Sequence, residues 1–177
     1  MKGKQFSCSF TGHRPTKLPW GYREDDPRCI ALKERIFDAV EAAYAEGYTH
    51  FLCGMAQGCD MYFGEAVLAL KERCSDVTLE AVIPCPEQTK NWPASACARY
   101  ERILEAADLE TLVSEKYTAD CMYRRNRYLV DHASLLVAVY NGLPGGTMQT
   151  ITYAMNRGIS IVDIPVGAMT EKENHEG

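Results

Sequence analysis

No run of apolar residues in this 177-residue sequence approaches the roughly 20 that a membrane-spanning helix needs. The opening stretch "MKGKQFSCSF" is too short in its apolar part, and too interrupted by Ser7 and Ser9, to read as a targeting segment. These absences argue against a membrane partner and lead us to expect a cytoplasmic protein. A basic excess is missing too: the net charge is −5, whereas a protein that coats nucleic acid needs a concentrated positive surface. Nucleic acid is therefore a disfavoured partner, though a local basic patch is compatible with this total. The eight cysteines include no Cys-x-x-Cys and no nearby His at a zinc-ligand spacing, so no metal site is expected. They read as reduced thiols used as small apolar residues, with Cys59, inside a glycine loop, the one to watch for reactivity. Internal repeats and low-complexity segments are lacking. So are G-x-G-x-x-G and G-x-x-x-x-G-K-[ST], which excludes a standard dinucleotide fingerprint and a P-loop.

What is present is an alternation of short apolar runs with longer amphipathic segments, the pattern of an α/β domain with a mostly parallel sheet covered by helices on both faces. Strands are expected at 5–10, 50–53, 77–83, 109–113, 135–140 and 159–164. Helices are expected at about 30–46, 60–73, 95–107, 119–132 and 147–156, with Gly47 and Gly158 in stop positions. One domain over 1–166 accounts for these, and the polar tail 167–177 is expected to fray. The irregular stretch "TGHRPTKLPWGYREDDPR", residues 11–28, carries Pro15, Pro19, Gly21 and Pro27. It reads either as a functional lid or as a surface loop with Trp20 tucked onto the core.

In an open parallel sheet, ligands sit beyond the carboxyl ends of the strands, so the residues following each strand matter most. Three such junctions carry glycine: Thr11-Gly12-His13-Arg14, the Gly54 to Asp60 segment with Gly58 inside it, and Asn141 to Thr147 with Gly145 and Gly146. Glycine lets a backbone approach a ligand closely, and the N-terminus of the next helix offers free N–H groups to a phosphate. Each alone reads more readily as an ordinary turn, and the three together at one sheet edge point to binding. Asp60 reads as a helix cap or as a partner for a ribose hydroxyl. In "ADCMYRRNRYLVDHA", Met122, Leu129, Val130 and Ala133 can face the sheet, which leaves Arg124, Arg125 and Arg127 on the flanks and toward solvent. A guanidinium beside the glycine loops would complete an anion site, and a solvated face with an Arg127 to Asp131 pair is the structural alternative.

Taken together, Thr11-Gly12-His13-Arg14-Pro15, Gly54-x-x-x-Gly58-x-Asp60, Arg125-Asn126-x-x-x-Val130-Asp131 and Gly145-Gly146-Thr147 resemble the YpsA-like family of bacterial proteins. "EQTKNW" (87–92) and Tyr100 look like that family too, and the similarity runs over about residues 5–165. The family belongs to the SLOG superfamily of Rossmann-like domains, with the LOG phosphoribohydrolases and the DNA-processing protein A family. The resemblance implies a nucleotide or nucleotide-derived ligand held by Gly12, His13, Arg14, Gly54, Gly58, Asp60, Arg125, Asn126, Gly145, Gly146 and Thr147. It names no cofactor, and it leaves room for a protein partner and for self-association. The LOG enzymes carry Met-x-x-Arg before P-G-G-x-G-T-x-x-E. Met122-Tyr123-Arg124-Arg125 matches the first segment, which makes Arg125 the candidate catalytic residue. The second segment departs: Thr147 follows Gly146 directly, and Thr150 stands where the enzymes have Glu. Threonine supplies neither a carboxylate nor an acid for glycosidic cleavage, so a sensing or regulatory role is expected ahead of a phosphoribohydrolase. Asp60, Glu65 or Asp131 would have to replace the missing carboxylate, and single-stranded nucleic-acid binding ranks third.

Overall fold

The computed structural model describes residues 3–167; the expected frayed tail falls, from residue 168 on, outside the described residues. Six strands form one sheet: β1 (Ser7–Thr11), β2 (His50–Cys53), β3 (Thr78–Ile83), β4 (Leu109–Leu112), β5 (Leu135–Tyr140) and β6 (Ser160–Pro165). Their order is β4-β3-β2-β1-β5-β6, and every pairing is parallel. Five helices connect them: α1 (Pro27–Ala45), α2 (Cys59–Lys71), α3 (Ala94–Ala106), α4 (Cys121–Asp131) and α5 (Gly146–Asn156). α1, α2 and α3 pack in sequence against one another, while α4 packs on α5. The chain thus winds outward from β1 to β4, then crosses back through α4 to lay β5 on the other side of β1. That reversal between β1 and β5 is the topological switch point where doubly wound sheets open a crevice at their carboxyl ends. The fold is the expected Rossmann-like α/β sandwich.

The central strands are buried on both faces, which is why they read as continuous apolar runs. Phe10 stacks on Phe63 of α2 with ring centroids 4.7 Å apart, at the heart of the larger core. On the opposite face, Leu52 and Val82 pack against Leu129 of α4, and Leu136 packs with Val130 and Ala154. β1 turns small polar side chains this way, and Ser9 donates a hydrogen bond to the Leu129 carbonyl.

Element boundaries differ from expectation by a few residues, for local reasons. A short 3₁₀ turn at Lys4–Phe6 delays β1 to Ser7. Pro27 does not oppose regular structure: it sits at the first position of α1, where its missing N–H is harmless, and Asp26 caps the helix by accepting from the Arg28 N–H at 2.8 Å. Gly47 (φ 105°) and Gly158 (φ 73°) end α1 and α5 as expected. Residues 11–28 do not form a detached lid. Leu18 and Trp20 are buried, and the Trp20 indole donates to the Tyr62 hydroxyl at 3.4 Å. Arg99 clamps Glu24 against Glu65 from outside. No described helix is long and apolar enough to cross a membrane.

Candidate functional site

The three glycine junctions follow β2, β1 and β5, which are neighbours in the sheet, so they meet at one carboxyl edge across the switch point. There they surround a cleft of about 460 Å³. Of the residues expected in the site, Gly12, His13, Arg14, Asp60, Arg125, Asn126, Gly146 and Thr147 line it.

Gly54, Gly58 and Gly145 do not line this cleft, and packing explains at least two of them. A Cβ on Gly54 would stand 2.9 Å from the Arg125 guanidinium. A Cβ on Gly58, whose φ is 85°, would stand 2.7 Å from the His13 carbonyl oxygen. These glycines let the walls close on each other and do not face the cavity. Gly145 lies against Lys17, whose ammonium is 2.7 Å from where a Cβ would be. Gly146 is different: nothing lies within 4 Å of a Cβ there, so its backbone faces open space at the start of α5.

Arg125 overturns the expected flank placement. The buried stripe of α4 is Cys121, Arg125, Leu129 and Val130, and Arg125 is only 5% exposed. Its Nη1 donates to the Gly54 carbonyl and its Nε to Asn126 Oδ1 at 2.8 Å. Burial lowers its pKa, with the Asp60 charge acting in the opposite direction, and an arginine so placed keeps its charge. The neighbouring arginines do lie outside. Arg124 donates to the Val113 carbonyl, and Arg127 packs on Tyr123, with its charge over that ring at 4.4 Å. The Arg127 to Asp131 pair does not form, because Asp131 accepts from the Tyr153 hydroxyl at 2.8 Å and faces Arg157 at 3.4 Å.

Asp60 does not cap α2. The N-cap is Gly58, and the Asp60 carboxylate instead accepts from the Ala56 N–H at 3.0 Å, tying down the β2 loop. Met55 in that loop adopts φ 63°, a conformation that strains a non-glycine residue by about 1–2 kcal/mol. Burial raises the Asp60 pKa, against the charge of Arg125 and the Ala56 N–H. Among the described residues, Asp60 is the only carboxylate lining the cleft. Glu65 pairs with Arg99 and Asp131 with Tyr153 and Arg157, so neither replaces the absent glutamate here.

His13 bridges two junctions: its Nε2 accepts from the Asn141 N–H at 3.0 Å, and its Nδ1 lies 3.5 Å from the Thr147 hydroxyl. Desolvation, helped by the Lys17 charge, lowers its pKa to about 4. It is therefore a neutral strut at pH 7, with its acceptor nitrogen already engaged. Cys59, expected to be reactive, is fully buried, and desolvation pushes its thiol pKa up, so it is inert. All eight cysteines are free.

Thr150 is buried and donates to the Gly146 carbonyl at 3.0 Å, toward the α4–α5 seam and away from the cleft. Sequence reasoning missed Lys17, Thr16 and Gln149, which also line the cleft, and it expected Met122, another lining residue, to face the sheet. Lys17 was legible only as part of an irregular segment, because nothing in its spacing shows the 3₁₀ turn at Pro15–Lys17 that carries it to α5. The resulting cleft holds three cationic side chains, Arg14, Lys17 and Arg125, against the single Asp60 carboxylate. The described residues contain no cluster of His, Cys, Asp or Glu suited to a metal ion.

The comparisons with known proteins agree with this architecture. The chain is 29% identical over 142 residues to the SPbeta prophage-derived protein YoqJ of Bacillus subtilis, covering 73% of this chain and 83% of that one. It is 27% identical over 135 residues to YpsA of the same organism, covering 75% and 74%. Among solved structures it is similar to DNA processing protein A from Streptococcus pneumoniae, with a TM-score of 0.63 at 16% identity. That alignment takes in 98% of this chain and 56% of the pneumococcal one, and it speaks to the fold alone. The model of the YspA SLOG family matches residues 8–170, nearly the whole chain, and the protein belongs to that family.

Proposed function

We propose that the cleft at the carboxyl edge of the sheet binds a nucleotide or nucleotide-derived ligand through its phosphate, in a sensing or regulatory role in the cytoplasm. The observation that carries this reading is the open start of α5 at Gly146, which faces a cleft whose lining carries Arg14, Lys17 and Arg125. Backbone N–H groups at a helix start, with a partial positive charge and arginine forks beside them, form an anion site. Arg125 is the central cation because its burial leaves its charge poorly solvated until an anion arrives. A sensor acts through something else, so a protein partner or self-association belongs to the proposal. Native mass spectrometry of freshly purified protein, followed by calorimetry with nucleotides, tests it. Arg125→Met should weaken binding by about tenfold or more, the worth of one charge-assisted contact. A natural protein that binds no nucleotide sinks the reading.

One observation favours a second reading, cleavage of a nucleoside monophosphate. Asp60 is buried, burial raises its pKa, and it shares the cleft with Arg125, which places a candidate general acid or base beside a cation. The discriminating assay follows release of free base from AMP by the natural sequence and by Asp60→Asn. Turnover on the order of 1 s⁻¹ or more, lost in Asp60→Asn, promotes the phosphoribohydrolase. Binding without turnover leaves the sensor.

A further inference from the structure

The cleft does not end at Arg14. A second hollow of about 280 Å³ adjoins it, and the two share Arg14, Thr16, Ala56 and Met122 in their walls. Pro15, Tyr22, Gln57, Gln88 and Trp92 complete this second hollow. Tyr22 is largely exposed, whereas Trp92 is partly buried and set edge-on to Tyr100 with centroids 5.6 Å apart.

Gln88 is the unusual member. It lies on the 3₁₀ turn Pro86–Thr89 that follows β3 and is only 8% exposed. Neither its side-chain oxygen nor its side-chain nitrogen has a hydrogen-bond partner. Among the described residues, these are the only buried side-chain polar atoms left in that condition. A buried amide without partners costs about 1–3 kcal/mol of stability per lost group, and the protein itself supplies no partner that offsets it here. The phosphate site does not account for it, because Gln88 does not line the first cleft. The same turn carries the "EQTKNW" segment, which the phosphate-binding reading also leaves unused.

We infer that the second hollow, walled by Tyr22 and Trp92 with the unpartnered Gln88 amide, is a nucleobase subsite for a 6-aminopurine. This rests on the reading of the adjoining cleft as a phosphate site. A carboxamide presents one N–H donor and one oxygen acceptor side by side, which matches the adjacent acceptor and donor of adenine N7 and N6. A 6-oxopurine offers two acceptors along that edge and leaves the amide N–H paired but its oxygen opposed. The aromatic walls supply flat apolar contact to the ring faces. The volumes of the two hollows suit a ligand whose sugar phosphate and base occupy one each. Arg14, common to both, stands at the junction.

Calorimetry on the full chain with ribose 5-phosphate, AMP and IMP tests the assignment. The natural protein should bind AMP at least about tenfold more tightly than either IMP or ribose 5-phosphate, the effect of one good bidentate base contact. Gln88→Met, close in volume and free of the orphaned amide, should bring AMP to the level of IMP while leaving ribose 5-phosphate unchanged. Tyr22→Ala, at an exposed ring that folding does not need, should weaken AMP and IMP alike and spare ribose 5-phosphate. If ribose 5-phosphate binds but AMP binds no better, the base subsite is wrong and the phosphate site stands. If none of the three binds the natural protein, both are wrong. Equal affinity for AMP and IMP overturns the 6-aminopurine assignment, and an equal loss for all ligands in Gln88→Met shows that the residue acts only through the fold.

Discussion

The two ends of the sheet both bury polar groups beside a hollow, but they treat those groups in opposite ways. At the amino edge, the larger hollow, about 600 Å³, is walled by His50, Glu80, Tyr128 and His132, among others. Glu80 there is saturated: it faces His50 Nε2 at 2.8 Å and accepts from the Tyr128 hydroxyl at 2.8 Å and the Thr111 hydroxyl at 3.0 Å. Burial works against its ionisation, but the hydrogen bonds from His50, Tyr128 and Thr111 outweigh that and hold its pKa below the usual carboxylate value. His50 spends its other nitrogen on the Thr78 hydroxyl at 2.7 Å. At the carboxyl edge the hollows are smaller, yet Gln88 is unpartnered and three cations face one carboxylate. Size is therefore a poor guide to the site in this molecule. Unspent polar capacity, rather than volume, separates the saturated amino edge from the edge proposed to take a ligand.

If that contrast is right, the largest effect on folding comes from the amino edge. Glu80→Ala strands His50, Thr111 and Tyr128 together, and should lower unfolding free energy by on the order of 3 kcal/mol. Chemical denaturation measures this, and nucleotide affinity of the remaining folded protein should not change. A Glu80 variant that loses affinity but not stability would reverse the roles of the two edges.

The next effect concerns His13, a carboxyl-edge residue that is nonetheless fully engaged. Its folded pKa of about 4 lies below the ordinary 6.5. The unfolded chain therefore binds the extra proton first as pH falls. The stability His13 contributes is complete above pH 6.5 and lost as pH drops toward 4, by up to about 3 kcal/mol. His13→Gln should flatten the stability profile across that window relative to the natural sequence. Parallel profiles for the two proteins would show that His13 titrates normally and is no strut.

Gly146→Asp should act on binding alone. The position is open, so the side chain fits, and an acidic residue suits a helix start. Its charge and bulk at the phosphate site should weaken nucleotide binding by about tenfold or more, ~1.4 kcal/mol, with the thermal midpoint held or slightly raised. The smallest expected change is the stability of Gln88→Met. Removing an amide that already lacks partners should raise the unfolding free energy, by about 1 kcal/mol, because the buried orphan costs at least that. A loss as large as that of Glu80→Ala would mean that Gln88 is satisfied in solution and erase the contrast between the edges.

The sequence carried the strand and helix alternation because burial on both faces of β2, β3 and β5 forces continuous apolar runs, and the helices need an apolar stripe with stops such as Gly47 and Gly158. It also carried the three glycine junctions, since the spacing of strand ends is a local property. It misread residues whose role depends on what lies opposite. Arg125 looked like a flank residue because charge at a helix position normally means solvent, and only the docking of α4 over β1 and the β2 loop puts it inside. Gly54 and Gly58 looked like ligand glycines, but their lack of a side chain serves Arg125 and the His13 carbonyl, partners 71 and 45 residues away in the chain. Gln88 sits in the "EQTKNW" segment, which carried a family likeness but no role, and its burial without a hydrogen-bond partner, beside a hollow it shares with Tyr22, Trp92 and Met122, exists only in the folded chain. Local pattern determined which elements form and where their ends lie, because hydrogen bonding and apolar periodicity act within a few residues. Which polar groups are spent and which stay without a partner was decided by tertiary structure, because satisfaction is a property of neighbours that the chain brings together only by folding.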